Sequence, residues 1–395
     1  MTIPQTIKTP KKLWSIDFIL VLLTGHFMFV SYYALFTLVP PFAVDRGGEE
    51  WEIGIVIGSI GIMALLVRPF GGRWINSFGA KRIAISGTGL FAVTNLLYLL
   101  ASNIWILIPI RMLQGMGVAI GPVATSTMVA NLAPESRRGE AMSFMGIAIA
   151  LSGLYSPVLA FWLLSELGFY TGFVYAAVGG LLGCVTSAKI SSSNTNFTSM
   201  SDDKESLPLI PRNAIFPTVI FIGYTITTAP VNTFLPLLSS DRDLGNPGLY
   251  FTTFSITTIL LMVLSGRIAD RFGRASVVIP GMVASSISMF LLAGAHSQTM
   301  FLGSGFLNGI GFGLIQPGIQ ALIVDRVRPK ERGPAMATVQ QGWDIGGSGA
   351  FFLGPIGGIT GIASTFTISG VVALLATAGF IFGNSKDQPS SLNKK

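Results

Sequence analysis

Residues 71–82 read GGRWINSFGAKR and residues 265–276 read SGRIADRFGRAS. Superimposed, they place glycine at 72 and 266, a polar residue at 76 and 270, and a second glycine at 79 and 273, with basic residues around each. The offset is 194 positions, close to half of a 395-residue chain. Two more pairs of strings keep that register. Leu113-Gln114-Gly115-Met116-Gly117 matches Leu307-Asn308-Gly309-Ile310-Gly311, and Gly139-Glu140-Ala141-Met142 matches Gly333-Pro334-Ala335-Met336. Three matches at one offset describe two related halves in parallel order.

The medium in which those halves fold follows from composition. Half of the residues are apolar, only 11% are charged, and the mean hydropathy is +0.65, whereas soluble domains carry about 25% charged residues. Apolar runs of about 20 residues, the length that crosses a hydrocarbon core, recur along the chain. Twelve are expected, near 14–44, 52–74, 81–101, 103–131, 138–165, 168–189, 213–238, 247–268, 276–296, 298–325, 333–357 and 360–383. The first is about twice the length of a signal-peptide core and lacks a small-residue cleavage site, so it is expected to be retained. The expected fold is an all-α membrane protein of twelve transmembrane helices in two pseudo-symmetric six-helix bundles. One bundle covers 1–190 and the other 213–395. Between them, 191–212 is Ser-rich, polar and closed by prolines, and reads as a cytoplasmic linker.

Basic residues set the orientation. With both termini inside, 21 of the 25 Lys and Arg fall on the inner face, Arg46 and Arg242 fall outside, and Arg68 and Arg111 remain within spans. This is a strong positive-inside bias. The net charge of +7 therefore suits an inner face beside anionic lipid headgroups and calls for no nucleic-acid partner. Cys184 is the single cysteine and His26 and His296 the two histidines, which excludes an intrachain disulfide and a Cys/His metal set. No cofactor is expected.

On these motifs the chain resembles the major facilitator superfamily over essentially its whole length. The family's pattern between spans 2 and 3 appears as Gly72, Asn76, Ser77, Gly79, Lys81 and Arg82. Its echo between spans 8 and 9 is Gly266, Asp270, Arg271, Gly273 and Arg274. The first copy has Asn76 where the family has an acid. The resemblance implies that both strings act as gates when the halves rock. It also implies a functional monomer in the cell membrane.

Two costly residues stand inside the spans. Arg111 lies in Ile108-Pro109-Ile110-Arg111-Met112-Leu113-Gln114-Gly115, about 12 Å below the outer end of span 4 at 1.5 Å per residue. A guanidinium there costs about 2.5–3.5 kcal/mol on insertion scales, so it calls for a partner or an aqueous cavity. The resemblance implies a proton-linked role for it. Asp344, in Gln340-Gln341-Gly342-Trp343-Asp344, lies about 16 Å into span 11. Burial favours the neutral form of a carboxylic acid, which suits it to carry a proton. His26, about 18 Å into span 1, is a third candidate.

In the family, spans 1, 4, 7 and 10 line a central cavity. The solute residues expected are Tyr33, Gln114, Tyr224, Asn232 and Gln316, with Gln340 and Trp343 beside Asp344. Such a lining suits a small, mostly apolar molecule with a few hydrogen-bonding groups. A partial match in span 5, Ser152-Gly153-Leu154-Tyr155-Ser156-Pro157, points to the exporter branch. The expected function is proton-coupled export of small amphipathic molecules, and the alternative is proton symport of a sugar-like or organic nutrient. Neither a phosphate loop nor a Ser/His/Asp arrangement is present, so an enzyme is not expected.

Overall fold

A computed structural model describes residues 13–134, 137–191, 210–328 and 331–386. Every element among them is helical. The first half holds α1 (Ile16–Asp45), α2 (Glu50–Phe78), α3 (Ala80–Leu97), α4 (Leu107–Leu132) and α5 (Arg138–Lys189). The second holds α6 (Arg212–Thr225), α7 (Thr228–Asp241), α8 (Gly248–Phe272), α9 (Ala275–Ala293), α10 (Gln298–Arg326), α11 (Arg332–Thr360) and α12 (Ile362–Lys386). Twelve spans result, because α5 doubles back at Gly168 (φ 81°, ψ 178°) while α6 and α7 share one span. That span is broken by Pro230. Its ring nitrogen cannot donate to the Ile226 carbonyl four residues back, which is bonded instead by Ala229 N–H at 3.1 Å.

Ten helical stretches are long and apolar enough to cross a membrane, and the one that doubles back contains two spans. α11 falls outside that set because Gln340, Gln341 and Asp344 break its apolar run. Its polar face is covered by α2 of the other bundle. Of the expected linker 191–212, residues 192–209 lie outside the described residues, and Arg212 already opens α6.

The opening strings are mostly helix and only in part a connection between spans. α2 continues through Gly72 and Asn76 to Phe78, and α8 continues through Gly266 and Asp270 to Phe272. Only the second glycine of each string turns the chain, Gly79 at φ 85° and Gly273 at φ 85°. A side chain is strained in that conformation, which is why both copies keep glycine. The repeat recurs at the helix starts on the opposite face. Asn103 accepts from the N–H of Trp105 and Ile106, and Ser297, 194 residues later, accepts from Met300 N–H at 3.3 Å.

The second repeated string sets the packing within each bundle. A methyl on Gly115 would collide with the Ile60 carbonyl of α2, and one on Gly309 with the Phe254 carbonyl of α8. Likewise Gly117 abuts the Gly87 carbonyl of α3, and Gly311 that of Gly281 in α9. Residues 60 and 254, and 87 and 281, are again 194 apart. Bare glycine thus lets α4 and α10 lie against two neighbours at backbone distance.

The bundles are joined at one end. We call the end holding the start of α1 and the turns at Gly79 and Gly273 the terminus end. There the apolar cores stay separate: one contains only residues between Leu13 and Ile190, the other only residues between Ala214 and Phe380. At the far end each core recruits the opposite bundle. Ala229, Ala350 and Leu353 join the first bundle's core, and Phe36 joins the second's. The backbones of α2 and α11 meet there at Gly54 and Gly354, and Thr252 of α8 donates to the Leu154 carbonyl of α5 at 2.6 Å.

Gly115→Val and Gly309→Val are each expected to destabilise the protein by about 1–3 kcal/mol through overpacking. This would be read as a lower thermal unfolding midpoint of the detergent-solubilised chain. Gly303→Ala, where an added methyl meets nothing within 4 Å, should leave the midpoint unchanged or raise it.

Candidate functional site at the bundle seam

On α2, Gly54, Gly58 and Gly61 face α11, and spacings of three and four residues carry the same face on to Arg68. On α11, Asp344, Ser348, Phe351 and Gly354 form the matching face. Small residues draw the two helices together over the far half of their length. Where the stripe ends, a charged side chain waits on each side. Arg68 Nε donates to Asp344 Oδ2, and Arg68 Nη2 donates to Oδ1 at 2.7 Å. Only 9% of the arginine side chain and 3% of the aspartate are exposed. The pair is bidentate, the strongest geometry open to these groups, and it bridges the bundles.

Arg68 was absent from the expected site residues. Its signal was present, since the orientation count leaves two arginines inside spans, but nothing local joins residues 276 apart. Arg111, which the family resemblance favours, lies elsewhere. It is buried in the first bundle, where Nη1 donates to Gln114 Oε1 at 3.2 Å. Gln114 also accepts from Tyr98 OH at 2.8 Å and donates to Asn95 Oδ1 at 2.9 Å, and Asn95 donates to Ser31 Oγ at 2.8 Å. Among the described residues this arginine has no carboxylate partner. Tyr32 lies within range of the charges of Arg111, Asp344 and Arg68.

His26 joins neither group. Its Nδ1 lies 2.7 Å from the Ala148 carbonyl and its Nε2 2.9 Å from Tyr155 OH. A neutral ring that donates from Nδ1 and accepts at Nε2 satisfies both contacts, so the histidine pins α1 to α5.

Two aromatic groups flank the ion pair. Tyr33 packs with Phe29, Tyr32 and Phe36 on α1, and Phe36 reaches Phe251 of α8 at 5.6 Å. Opposite them, Trp343 meets Phe221, Tyr224 and Phe312 edge-on at 5.4, 6.3 and 5.5 Å. The Tyr224 hydroxyl is buried with no hydrogen-bond partner among the described residues. Tyr33 lies close enough for the two phenols to interact electrostatically. Asn232, Gln316 and Gln340 are half-buried on α7, α10 and α11, and make no hydrogen bond to another described residue.

Among the described gate side chains, the contacts are local. Arg274 bonds Asp325 at 2.8 Å within its own bundle, and Arg271 is exposed beside the Phe272 ring. Methyls built on Gly266 and Gly273 would meet nothing within 4 Å. The side chains of Gly72, Asn76 and Asp270 lie outside the described ones.

Two repeated bundles around a seam that holds an ion pair and aromatic walls define a membrane transporter rather than an enzyme. The Major Facilitator Superfamily profile matches residues 21–250 and again 215–395, and the chain belongs to that family. It is similar to the multi-drug resistance efflux pump PmrA homolog of Lactococcus lactis, at 25% identity over 75% of this chain and 77% of that protein. Multidrug resistance protein 2 of Bacillus subtilis is 23% identical over 92% and 88%. These relatives place the chain's likeness in the drug-exporter branch. In fold it is similar to a POT family transporter (TM-score 0.78, 14% identity, 94% of this chain and 96% of that one). The nucleoside transporter NupG gives a TM-score of 0.76 at 14% identity, over 93% and 99%.

Removing either charge strands the other in a dry seam. Arg68→Gln and Asp344→Asn are each expected to cost about 3–5 kcal/mol. The double mutant should fall short of the sum by about 0.5–3 kcal/mol. Thermal unfolding of the four proteins in detergent measures the cycle.

Proposed function

We propose that this protein exports small amphipathic molecules in exchange for protons, with Asp344 as the shared carboxylate and Arg68 as the group that holds it when neither is bound. The observation that carries this reading is the bidentate pair between α2 and α11. An exchanger must not reorient empty, or the ion gradient dissipates without work. When Asp344 is ionised and solute-free, Arg68 fastens the bundles in the state joined at the far end. A proton neutralises the carboxylate and releases the arginine. A solute offering a positive or hydrogen-bonding group displaces the arginine in the same way. Either event frees the bundles to rock, and their competition for one carboxylate couples the two fluxes. A symporter needs the opposite property, an empty carrier that reorients freely, so the pair favours exchange over nutrient import.

The aromatic groups around Tyr33 and Trp343 would receive the apolar body of the solute, with Tyr224 OH, Asn232, Gln316 and Gln340 available to its polar groups. Arg111 and its amide network keep a positive field on the Tyr32 side of the cavity. The bundles 1–190 and 213–395 are the two rocking arms, joined by 191–212. The basic residues place the termini on the cytoplasmic side of the cell membrane, so the state described here opens toward the cytoplasm. The gates would close on the opposite swing. The lipid bilayer is the only further partner required, and the monomer is the working unit.

Inside-out vesicles test this reading, with ethidium as the probe solute and an imposed proton gradient. The wild type should concentrate the dye and release protons in step with it. Asp344→Asn, permanently neutral, should equilibrate the dye without concentrating it. Gradient-driven accumulation by Asp344→Asn equal to the wild type would contradict the assignment.

A further inference from the structure

On the flank of the first bundle, α2 and α3 both pack on α4 and leave an open groove of about 760 Å³ between them. Trp74, Phe78, Leu90 and Val93 form its walls and Met116 and Ile120 its floor. Trp74 follows Arg68 by six residues, which at 3.6 residues per turn places it about 120° around α2 from the ion pair. The groove therefore opens away from α11 and the other bundle. Phe78 and Val93 in its walls are 55% and 57% exposed. None of this surface belongs to the site at the seam.

One end of the groove is charged. Arg82 lines it at the terminus end and is exposed. Its neighbour Lys81 is already engaged, donating to the Ile190 carbonyl at 2.6 Å. The Arg82 guanidinium has no hydrogen-bond or ion-pair partner among the described residues. From Arg82 to Val93 the groove follows α3 for about 16 Å. One leaflet of a hydrocarbon core about 30 Å thick offers a similar depth, about 15 Å.

From these features we infer that the groove is a binding site for an anionic phospholipid, with one acyl chain lying along α3 and the phosphate held by Arg82. A guanidinium at headgroup level matches a phosphate in charge and geometry. No acid lines the groove, so a zwitterionic lipid would bring a positive group that nothing there receives. Selectivity for an anionic headgroup follows from that one-sided charge. The apolar walls account for the acyl chain.

Trp74 makes the site directly readable. The full-length protein is placed in phosphatidylcholine vesicles containing increasing fractions of brominated phosphatidylglycerol or brominated phosphatidylcholine. Subtracting the signal of Trp74→Phe isolates the quenching of Trp74. The wild type should be half-quenched at about fivefold lower fraction of the brominated anionic lipid, the selectivity one basic residue near a membrane supplies. Arg82→Gln should bring the two lipids to equal quenching. Gly89→Leu should abolish quenching by either lipid at low fraction, because its side chain fills the groove. That change is sterically mild, since an added Cβ at Gly89 meets only Cys184 Sγ at 3.9 Å. Equal quenching by both lipids in the wild type, or an anionic preference that survives Arg82→Gln, would overturn the assignment and leave only ordinary lipid contact.

Discussion

Opposite charges in contact at a seam that excludes water make an all-or-none fastening. Each ion loses several kcal/mol of hydration on burial, and only the complete bidentate contact returns it. Arg68 and Asp344 are therefore stable together and costly apart. Because one sits on α2 and the other on α11, that local rule becomes a rule about the whole molecule. In the proposed exchange, parting the seam without neutralising Asp344 would separate two poorly hydrated charges, which favours discrete arrangements of the bundles over a continuum. Whatever neutralises Asp344 or takes the place of Arg68 acts on the arrangement of both halves.

The rest of the architecture brings the two charges within reach and keeps other groups from interfering. Glycines on α4 and α10 bring the helices of each bundle to backbone distance. The α2 and α11 stripes at Gly54, Gly58, Gly61 and Gly354 hold the far ends at backbone distance. The terminus-end cores share no residue among the described ones. Among the described residues Arg111 is paired with no acid and is held by Gln114, which Tyr98 and Asn95 hold in turn. Asp344, the only deep carboxylate among the described residues, is already paired with Arg68.

Most of the fold was legible because it depends on periodic properties. Apolar run length gave the spans, and the 194-residue offset gave the two bundles. The same offset later reappeared in the turns, the caps and the glycine contacts. Where the connection between spans begins was not legible, since a helix can carry Gly72 and Gly266 and only φ at Gly79 and Gly273 demands glycine. Asp344 could be found by depth and charge alone. Its partner could not, because pairing α2 with α11 is a fact of tertiary packing. Depth held a usable hint. Arg68 lies ten residues from the terminus end of α2 and Asp344 twelve from that of α11, about 15 and 18 Å at helical rise. Two opposite charges at matching depth in a dry region should have been paired with each other. His26, at similar depth, is bonded instead to a carbonyl and a phenol, contacts that its place in the sequence does not reveal.

The central claim is that ionised Asp344 fastens the bundles and a proton releases them. The most direct measurement is the distance distribution between spin labels on the terminus-end turns at residues 77 and 276, in nanodiscs without solute, as pH is varied. The account predicts one narrow distribution at high pH, a second and shorter distance growing in at low pH, and in Asp344→Asn a mixture that pH does not change. A wild-type distribution that ignores pH, or an Asp344→Asn protein that titrates like the wild type, would contradict it.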